Sequence, residues 1–457
     1  MNVLAAFAIT MAVLLASLIV FKVSPGVSLF LCAILMSLLC GLPLTETLGH
    51  LTSGFGSIMT SIGLLIIFGG IFGMMLGDSG GMEEMAKGLL RTFGKKHDML
   101  ALNMAGFIIS IPVYFGSAYI TLNPLVSSLQ KLTKKKTTAY VTALFTGLLL
   151  THCVVAPTPG PLAVAGQIGA NVGWFIIYGI IVALPASLLC GWQYANFMNR
   201  TGPKVDVEES RRQRQELLSD GELLKADPSK PSAGLTLALI AFPIILIIIN
   251  SVCSVVLPAE HGLNLVFGFL GNNNVALFAA MLLSGVVLHK YLVPNVSESI
   301  WKYIDKTSDS MGNILMVIGC GNCFGTILQK SGLGEALVSL LSRMNIPVIF
   351  LAFLLAMIIR AAVGSATVAM LTTVSIVGPT AVAMGLSPVT VGLAVCVGTV
   401  GLTLPTDAAF WMPARYSNLT VNEAFASTTW PTTAASITGF VVVLILNAFS
   451  GVLPGMF

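Results

Sequence analysis

The chain has 457 residues, of which 56% are hydrophobic and only 9% are charged, and its net charge is +4 at pH 7. Soluble domains carry about 25% charged residues, so a soluble fold could not hide this much apolar surface. The lipid bilayer must therefore surround most of the chain, which predicts an all-α, polytopic membrane protein. So small a net charge gives no basis for nucleic-acid binding.

Apolar runs long enough to cross about 30 Å of hydrocarbon follow one another along the chain. The first is interpreted as a membrane span and not as a cleaved signal peptide, because no basic residue precedes it and no small-residue cleavage pattern follows it. Together the runs predict about ten spanning helices, at 2–21, 26–42, 57–77, 137–156, 171–198, 235–257, 274–291, 308–329, 388–404 and 430–452.

An amphipathic stretch follows the third span. Met82, Met85 and Phe93 are among the apolar residues of one face, and the other face is charged. This pattern predicts a helix that lies at the membrane interface. Asp78 or Ser79 stands at its start and is expected to be its N-cap.

Two further apolar segments, 98–130 and 346–380, are interrupted near the middle by Gly, Pro or Ser. The first has Lys residues near both ends and is long enough to enter and leave the membrane from one side. Both segments are therefore predicted to be re-entrant hairpins. The alternative is that each segment is one kinked span.

The hydrophilic stretch 199–232 separates two halves, 1–198 and 233–457, which match each other at a fixed offset of 252 residues. An unbroken offset of this kind indicates an internal duplication. The matches, with the residue of the first half named first, are Gly69 with Gly321, Phe72-Gly73 with Phe324-Gly325, Ser79-Gly80 with Ser331-Gly332, Glu83 with Glu335, and Arg91 with Arg343.

Most of the basic residues lie in 199–232 and in short loops, which the positive-inside rule assigns to the cytoplasm. Counting the spans outward from this linker puts both termini in the periplasm. The two halves then have opposite polarity, so the sequence predicts inverted repeats whose hairpins enter the membrane from opposite sides.

Four helix breaks combine Gly or Pro with Ser or Thr, at 112–117, 156–161, 364–367 and 404–407. A broken helix exposes N–H groups, which suit a carboxylate, and carbonyl groups, which suit a cation. Non-helical backbone survives at mid-membrane only around a polar cavity, and inverted repeats bring such breaks together at the substrate site. The breaks therefore predict an anion-binding site.

Few ionisable residues lie inside the membrane segments, where a charge is costly unless it is paired or solvated, and three of them stand in or just before a helix break. Arg360 is expected to bind an anionic group of the substrate, and the alternative is a structural pairing or an interfacial anchor. Asp407 is expected to carry a proton or a coupling cation, and the alternative is capping or pairing with Arg360. His152 is a candidate for substrate or proton binding, and the alternative is a hydrogen-bonded structural histidine.

At these motifs the chain resembles the gluconate permease family, bacterial symporters of gluconate-like sugar acids that also include D-serine permeases. The resemblance covers nearly the whole chain and implies the layout of the wider group of ion-coupled anion transporters with opposed hairpins. The motifs that carry it are Gly77-Asp-Ser-Gly80, His152, Pro157-Thr-Pro-Gly-Pro161, Gly364-Ser-Ala-Thr-Val-Ala-Met370 and Asp407-Ala-Ala-Phe-Trp411.

Three positions depart from the family pattern. The first hairpin often reads Phe-Phe-Glu-Val-Gly-Phe, and here Gly116 replaces the acid. The Pro-rich break usually reads Pro-Pro-His-Pro, and here it is Ala156-Pro-Thr-Pro159. Before Asp407 the pattern often reads His-Val-Asn, and here it is Leu404-Pro-Thr406. Because a hairpin carboxylate is a natural proton carrier, its loss leaves both proton coupling and Na⁺ coupling open.

Residues and resemblance together predict a secondary transporter, not an enzyme, that imports a small hydroxylated carboxylate such as a gluconate-like sugar acid. Asp407, together with His152, is expected to carry the coupling charge, and no cofactor or metal site is expected. The residues expected to contact the substrate are Arg360, Ser365 and Thr367 at its carboxylate, and Ser117, Tyr114, Thr158, Thr406 and His152 elsewhere.

Three alternative functions differ in what they require of the sequence. A D-serine-type amino-acid permease would need a partner for the ammonium group, and Asp407 is the obvious one. A channel would need a continuous polar path. A membrane-embedded hydrolase is disfavoured because no HExxH motif, intramembrane aspartate pair or Gly-x-Ser-x-Gly elbow is present. The protein is expected in the bacterial inner membrane, where by analogy its outer spans would form a scaffold and a homodimer interface.

Overall fold

The computed structural model describes residues 2–21, 23–94, 97–201, 225–257, 262–292, 300–333, 336, 347–405 and 407–457. Within these ranges the chain forms helices and no strand, which confirms the predicted all-α class. The middle of the linker, at 202–224, and the predicted substrate contact Thr406 lie outside the described residues.

The helices follow the apolar runs. Those of the first half are α1 (Val3–Ile19), α2 (Pro25–Cys40), α3 (Leu44–Ile58), α4 (Leu64–Asp78), α5 (Gly81–Phe93), α6 (Asp98–Ile109), α7 (Phe115–Thr133), α8 (Thr137–Val154), α9 (Pro159–Gln167), α10 (Val172–Ser187) and α11 (Tyr194–Arg200). Those of the second half are α12 (Ala233–Val256), α13 (Gly262–Leu270), α14 (Asn273–Val287), α15 (His289–Leu292), α16 (Ile300–Lys330), α17 (Val348–Val363), α18 (Ala366–Ala383), α19 (Pro388–Gly398), α20 (Ala408–Tyr416), α21 (Val421–Ala424) and α22 (Trp430–Ala448).

Several helices can span a bilayer. Among the described residues, five helices are long and apolar enough to do so, and two bent helix pairs raise the number to seven. The bends measure 65° between α4 and α5 and 60° between α13 and α14. The remaining apolar helices are shorter, at 10–17 residues. The polytopic class is therefore confirmed, whereas ten spans stays a prediction.

The amphipathic helix α5 begins at a glycine turn and not at the predicted cap. Gly80 is its N-cap and has a φ of 75°, a left-handed conformation that favours glycine. The expectation that Asp78 or Ser79 would cap α5 is wrong, because α4 continues through Asp78 and the chain turns only at Gly80. The hydroxyl of Ser79 accepts the N–H of Gly81 at 3.4 Å.

The same turn recurs 252 residues later. Gly332 has a φ of 74°, against 75° for Gly80. The hydroxyls of Ser79 and Ser331 each donate to the carbonyl three residues earlier, at 3.1 and 2.7 Å. Similar turns therefore stand at two positions that the offset of 252 residues pairs, and the duplication, the boundaries and the relative polarity of the halves stay predictions.

The first interrupted segment folds back on itself. Asp98 begins α6, and Lys135 follows the end of α7, yet the Lys135 Nζ lies 2.6 Å from the Asp98 Oδ1. The hydroxyl of Tyr140 also donates to Asp98. Both ends of the segment therefore lie together, as a hairpin requires. In the second segment, α17 and α18 pack against each other across Gly364. How far either hairpin enters the bilayer stays a prediction.

The two broken helices occupy the centre of the protein. The side chains of α8 are buried from Ala139 to Val154, and those of α19 from Val389 to Gly398. Each helix ends in an irregular stretch before a short second helix, α9 or α20, begins. Both irregular stretches fall where breaks were predicted, although the second is longer than 404–407 because α19 already ends at Gly398.

The hairpin of each half packs on the short helix of the other half. On one side, the Asn123 Nδ2 of α7 donates to the carbonyl of Tyr416 at 2.7 Å, and the Ser417 hydroxyl donates to the Asn123 Oδ1 at 2.6 Å. On the other side, α18 packs on α9, where Gly160 leaves room for Met370. The halves are interlocked around the central helices.

Candidate functional site

A cavity of about 510 Å³ opens where three of the four predicted breaks meet, at 112–117, 156–161 and 364–367, and no residue of the fourth break is part of its lining in the described chain. Its walls come from α4, from the chain between α6 and α7, from the break after α8, from α16 and from the start of α18. Both halves therefore contribute. Five predicted substrate contacts line the cavity, namely Tyr114, Ser117, His152, Ser365 and Thr367.

Two helix N-termini, one from each half, reach this cavity. Tyr114 is the N-cap of α7 and Ser365 is the N-cap of α18, and both line the cavity. The hydroxyls of Ser117 and Thr367 follow within the first turn of each helix. In α18 the Ser365 hydroxyl already accepts the N–H of Val368, at 3.5 Å. The positive ends of two helix dipoles and the other first-turn N–H groups favour a negatively charged ligand at this place.

The aromatic side of the cavity is formed by Tyr114 and His152. Their rings meet edge to face, with centroids 5.0 Å apart and an interplanar angle of 83°. His152 is 6% exposed, and within the described part of the chain its Nδ1 has no hydrogen-bond partner. A structural histidine of the expected alternative kind would have its ring nitrogens paired, so the geometry leaves a ligand role available to His152.

Thr158 lies behind the cavity wall and is not part of its lining. Its hydroxyl donates to the carbonyls of His152, at 3.0 Å, and Val155, at 2.7 Å. These carbonyls belong to the end of α8, which lacks a following helical turn to satisfy them. Thr158 thus stabilises the backbone of the break that follows α8.

Arg360 and Asp407 form an ion pair between the Arg360 Nη2 and the Asp407 Oδ2. Arg360 is 2% exposed and Asp407 is 5% exposed, and neither lines the cavity. Asp407 is also the N-cap of α20, since its Oδ1 accepts the N–H of Ala409 at 2.8 Å. The structure therefore shows the pairing that was the alternative for both residues, and their transport roles stay predictions.

Hydroxyl groups of the C-terminal helices stabilise the break that precedes Asp407. The Thr433 hydroxyl accepts the N–H of Leu402 at 3.0 Å, and the Thr429 hydroxyl donates to the carbonyl of Thr403. Leu402 has a φ of 50°, which is uncommon for a residue other than glycine. These contacts satisfy backbone groups that the end of α19 leaves without helical partners.

The structure also adds cavity residues that sequence reasoning did not assign to the site. Asp78 lines the cavity, as do four glycines of α4, at 69, 70, 73 and 77. These glycines recur at near-helical spacing, a signal that marks one helix face and could have indicated a close approach. At Gly73 a β-carbon would lie 2.7 Å from the Pro112 carbonyl oxygen, so glycine lets the first interruption pack directly on α4.

Comparisons with known proteins find relatives that are permeases or transporters. The model of the GntP family permeases matches residues 1–449. The inner membrane permease YgbN of Escherichia coli is 31% identical over 92% of this chain and 93% of that protein. The gluconate permease of Pseudomonas aeruginosa is 31% identical over 93% of each chain. The D-serine transporter DsdX of E. coli is 30% identical over 96% of this chain and 97% of that protein.

Solved structures give the same picture of the fold. The YdaH transporter of Alcanivorax borkumensis, whose structure has an unusual topology, superposes with a TM-score of 0.61 at 17% identity and covers 89% of each chain. At this identity the likeness concerns the fold alone, which is that of a helical membrane transporter.

Proposed function

Because the chain belongs to the GntP permease family, as its motifs predicted, we propose that it is a secondary active transporter that imports a small hydroxylated carboxylate. Membership makes it a multi-pass inner-membrane transporter of small acids. A gluconate-like sugar acid is the first candidate substrate, since a relative at 31% identity over nearly its whole length is a gluconate permease.

The observation that carries the proposal is the meeting of two helix N-termini at one cavity. Tyr114 and Ser365 cap helices from opposite halves, and both face the same space. An anion gains from both dipoles, and first-turn N–H groups are natural partners of a carboxylate. A volume of about 510 Å³ is within the range of small-ligand sites.

Hydroxyl groups would recognise the rest of the substrate. In this proposal Ser365 and Thr367 bind the carboxylate together with Arg360, and Ser117 and Tyr114 bind substrate hydroxyls. His152 supplies a further polar partner. Thr158 acts indirectly, because its hydroxyl already donates to two backbone carbonyls. Thr406 remains a predicted contact beside Asp407.

Alternating access would come from the interlocked unit of hairpins and broken helices moving against the outer helices. A carrier of this kind needs no enzymatic step and no cofactor, only a coupling ion. The predicted orientation, with the linker in the cytoplasm and both termini in the periplasm, belongs to the same proposal.

A D-serine-type amino-acid permease is the second candidate, because the D-serine transporter DsdX is 30% identical over nearly its whole length. In that case the buried carboxylate of Asp407 would be the partner of the substrate ammonium. Sugar acids have no such group, so competition between the two substrate classes separates the candidates.

Uptake into proteoliposomes tests the proposal. Labelled gluconate, L-idonate and D-serine would be offered with a proton gradient or a Na⁺ gradient imposed separately. We expect gradient-driven accumulation of at least one sugar acid. Accumulation of D-serine alone would favour the second candidate. Ion conduction at channel rates in planar bilayers would contradict both candidates and show that the protein is a channel.

A further inference from the structure

The wall of the cavity divides into a polar part and an apolar part. The polar part comes from the hairpin tips and the end of α8, and its side chains are Tyr114, Ser117, Thr121, His152, Ser365 and Thr367. The apolar part comes from α4, α5 and α16, and its side chains are Leu65, Ile66, Met74, Met82, Met311 and Val317. Asp78, at the end of α4, is the one polar side chain that these three helices add to the described lining. We call the apolar part the methionine wall.

Glycines of α4 make room for the methionine wall. A β-carbon at Gly70 would lie 2.3 Å from the Met311 Sδ, and one at Gly77 would lie 2.7 Å from the Met82 Cε. Both thioether side chains therefore lie directly on the backbone of α4, where glycine leaves space. Methionine is flexible and polarisable and adapts to apolar groups of different shape, but its sulfur accepts hydrogen bonds only weakly. The wall thus suits hydrocarbon and offers little to a hydroxyl group.

The two parts of the wall make opposite demands on a bound acid. A hydroxyl that leaves water for the methionine wall loses hydrogen bonds that the wall does not replace, which is unfavourable. An alkyl group in the same place gains from leaving water. In the proposed function the carboxylate lies at the N-termini of α7 and α18, and the hydroxyls of Ser117 and Thr367 stand in the first turns of these helices. The position of a substrate hydroxyl along the carbon chain therefore decides whether it finds a partner.

We propose that the cavity selects a monocarboxylate whose hydroxyl groups lie on the carbons next to the carboxylate and whose far end is a short alkyl chain. The proposal rests on the proposed function and narrows its substrate class. The hydroxyls pair with the polar part of the wall, and the alkyl chain lies on Met311 and Met82. Because no Lys or Arg side chain belongs to the described lining, a second carboxylate at the far end would lack a cationic partner. Gluconate, which is hydroxylated on every carbon beyond its carboxylate, binds more weakly than such an acid of equal length.

The binding of three six-carbon acids to purified wild-type protein tests this selection. Gluconate has a hydroxyl on every carbon after the carboxylate, 2,3-dihydroxyhexanoate has only the two nearest, and hexanoate has none. Calorimetry would give the Kd of each acid, with the stereoisomers of 2,3-dihydroxyhexanoate offered separately. We expect the best stereoisomer to bind about tenfold more tightly than either of the other acids. Gluconate or hexanoate that binds as tightly as every stereoisomer would overturn the proposal.

Met311→Gln adds a hydrogen-bond donor and acceptor to the methionine wall at nearly the same side-chain length. We expect the preference for the dihydroxy acid over gluconate to fall about tenfold, because gluconate hydroxyls gain a partner and the alkyl chain loses an apolar surface. Met311→Leu keeps the wall apolar and should keep the wild-type ratio of the two Kd values, a ratio that a general loss of folded protein does not change. An unchanged ratio in Met311→Gln, or an equal change in both variants, would contradict contact between the alkyl chain and the wall.

Gly70→Ala tests the room that the wall leaves for the alkyl chain. The new methyl group would meet the Met311 Sδ, and we expect this flexible side chain to move off α4 and into the cavity. Affinity for 2,3-dihydroxyhexanoate should fall about fivefold, whereas 2,3-dihydroxybutanoate, whose tail is a single methyl group, should change little. Gly49→Ala, on α3 with open space around it, should bind both acids as wild type does. Equal losses for the two acids in Gly70→Ala would mean that Met311 does not face the alkyl chain, and the Met311 variants test the same contact if Gly70→Ala does not fold.

The proposed function and this selection fail in different ways. If none of the acids binds, and wild-type protein in proteoliposomes accumulates neither a sugar acid nor D-serine, the proposed function itself has failed. If wild-type protein accumulates gluconate, and 2,3-dihydroxyhexanoate neither binds nor competes with it, the proposed function stands and the selection is wrong.

Discussion

At the scale of single residues, some hydroxyl groups at the helix breaks form hydrogen bonds with backbone groups. Others line the cavity and are available to a ligand. Thr158 and Thr429 both donate to carbonyls at the ends of broken helices, and Thr433 accepts a freed N–H. Sequence reasoning recognised Ser and Thr at the breaks but could not tell which hydroxyls face backbone and which face the cavity. That difference depends on side-chain direction, which the sequence does not encode at a break.

Thr158→Val should lower the free energy of unfolding by about 1–3 kcal/mol, because it leaves buried carbonyls without their donor. Thermal or denaturant unfolding in detergent would measure the loss. Thr158→Ser keeps the hydroxyl and should remain close to wild type. A Val variant of unchanged stability that no longer binds substrate would instead assign the hydroxyl to the substrate.

Gly73→Ala should be poorly tolerated, because the new methyl group would lie 2.7 Å from the Pro112 carbonyl oxygen, a backbone atom. We expect a loss of about 1–3 kcal/mol in stability and slower uptake, as the first interruption is pushed away from α4. Gly56→Ala is the control, since open space surrounds that position and alanine favours a helix. Equal stability of the two variants would contradict the packing argument.

At the scale of helices, patterns of apolar length and interruption were informative. Break positions near 112, 157, 364 and 404 were predicted, and the helices do end there or a few residues earlier. Pairing between distant residues was not predictable, because Asn123 and Ser417 are 294 positions apart and neither lies in a recognisable motif. Likewise, the positive φ of Gly80 decides where α5 begins, and although Gly80 stands in the Gly77-Asp-Ser-Gly80 motif, its role as the cap was not predicted.

Asn123→Leu tests the connection between α7 and α20. The substitution removes the donor to the Tyr416 carbonyl and leaves the Ser417 hydroxyl with the Tyr119 hydroxyl alone, at 3.2 Å. We therefore expect stability to fall by about 1–3 kcal/mol and uptake to slow. Ser128→Ala, on the same helix, removes only a local bond to the Pro124 carbonyl and should be nearly silent. Both variants would be compared by thermal unfolding and by initial uptake rate, and matching results would argue that the connection is dispensable.

At the scale of the whole molecule, composition alone indicated that most of the chain lies in a lipid bilayer, and the motifs indicated its family. Both signals are spread along the chain. The ion pair between Arg360 and Asp407 was foreseen only as an alternative, because sequence separation gives no distance between two breaks. The orientation in the membrane stays a prediction that rests on the charge distribution. The homodimer interface stays a prediction that rests on analogy.

Reporter fusions test the predicted orientation. Alkaline phosphatase fused after Phe457 should be active, because that enzyme matures only in the periplasm, and green fluorescent protein at the same place should stay dark. Green fluorescent protein inserted within 202–224 should fluoresce, since the positive-inside rule counts Lys and Arg residues and assigns the linker that holds this stretch to the cytoplasm. A fluorescent C-terminal fusion would reverse the predicted topology.

The interlocking of the halves also bears on biosynthesis. Helix α9 packs on α18, which the ribosome delivers about 200 residues later, or roughly 10–40 s at typical rates of translation. During this interval the polar turn after α8 sits in the nascent membrane protein without its permanent neighbour. During this time the membrane-insertion machinery must shield the turn from lipid. Truncated messenger RNAs that lack the second half should yield fragments that quality-control proteases remove.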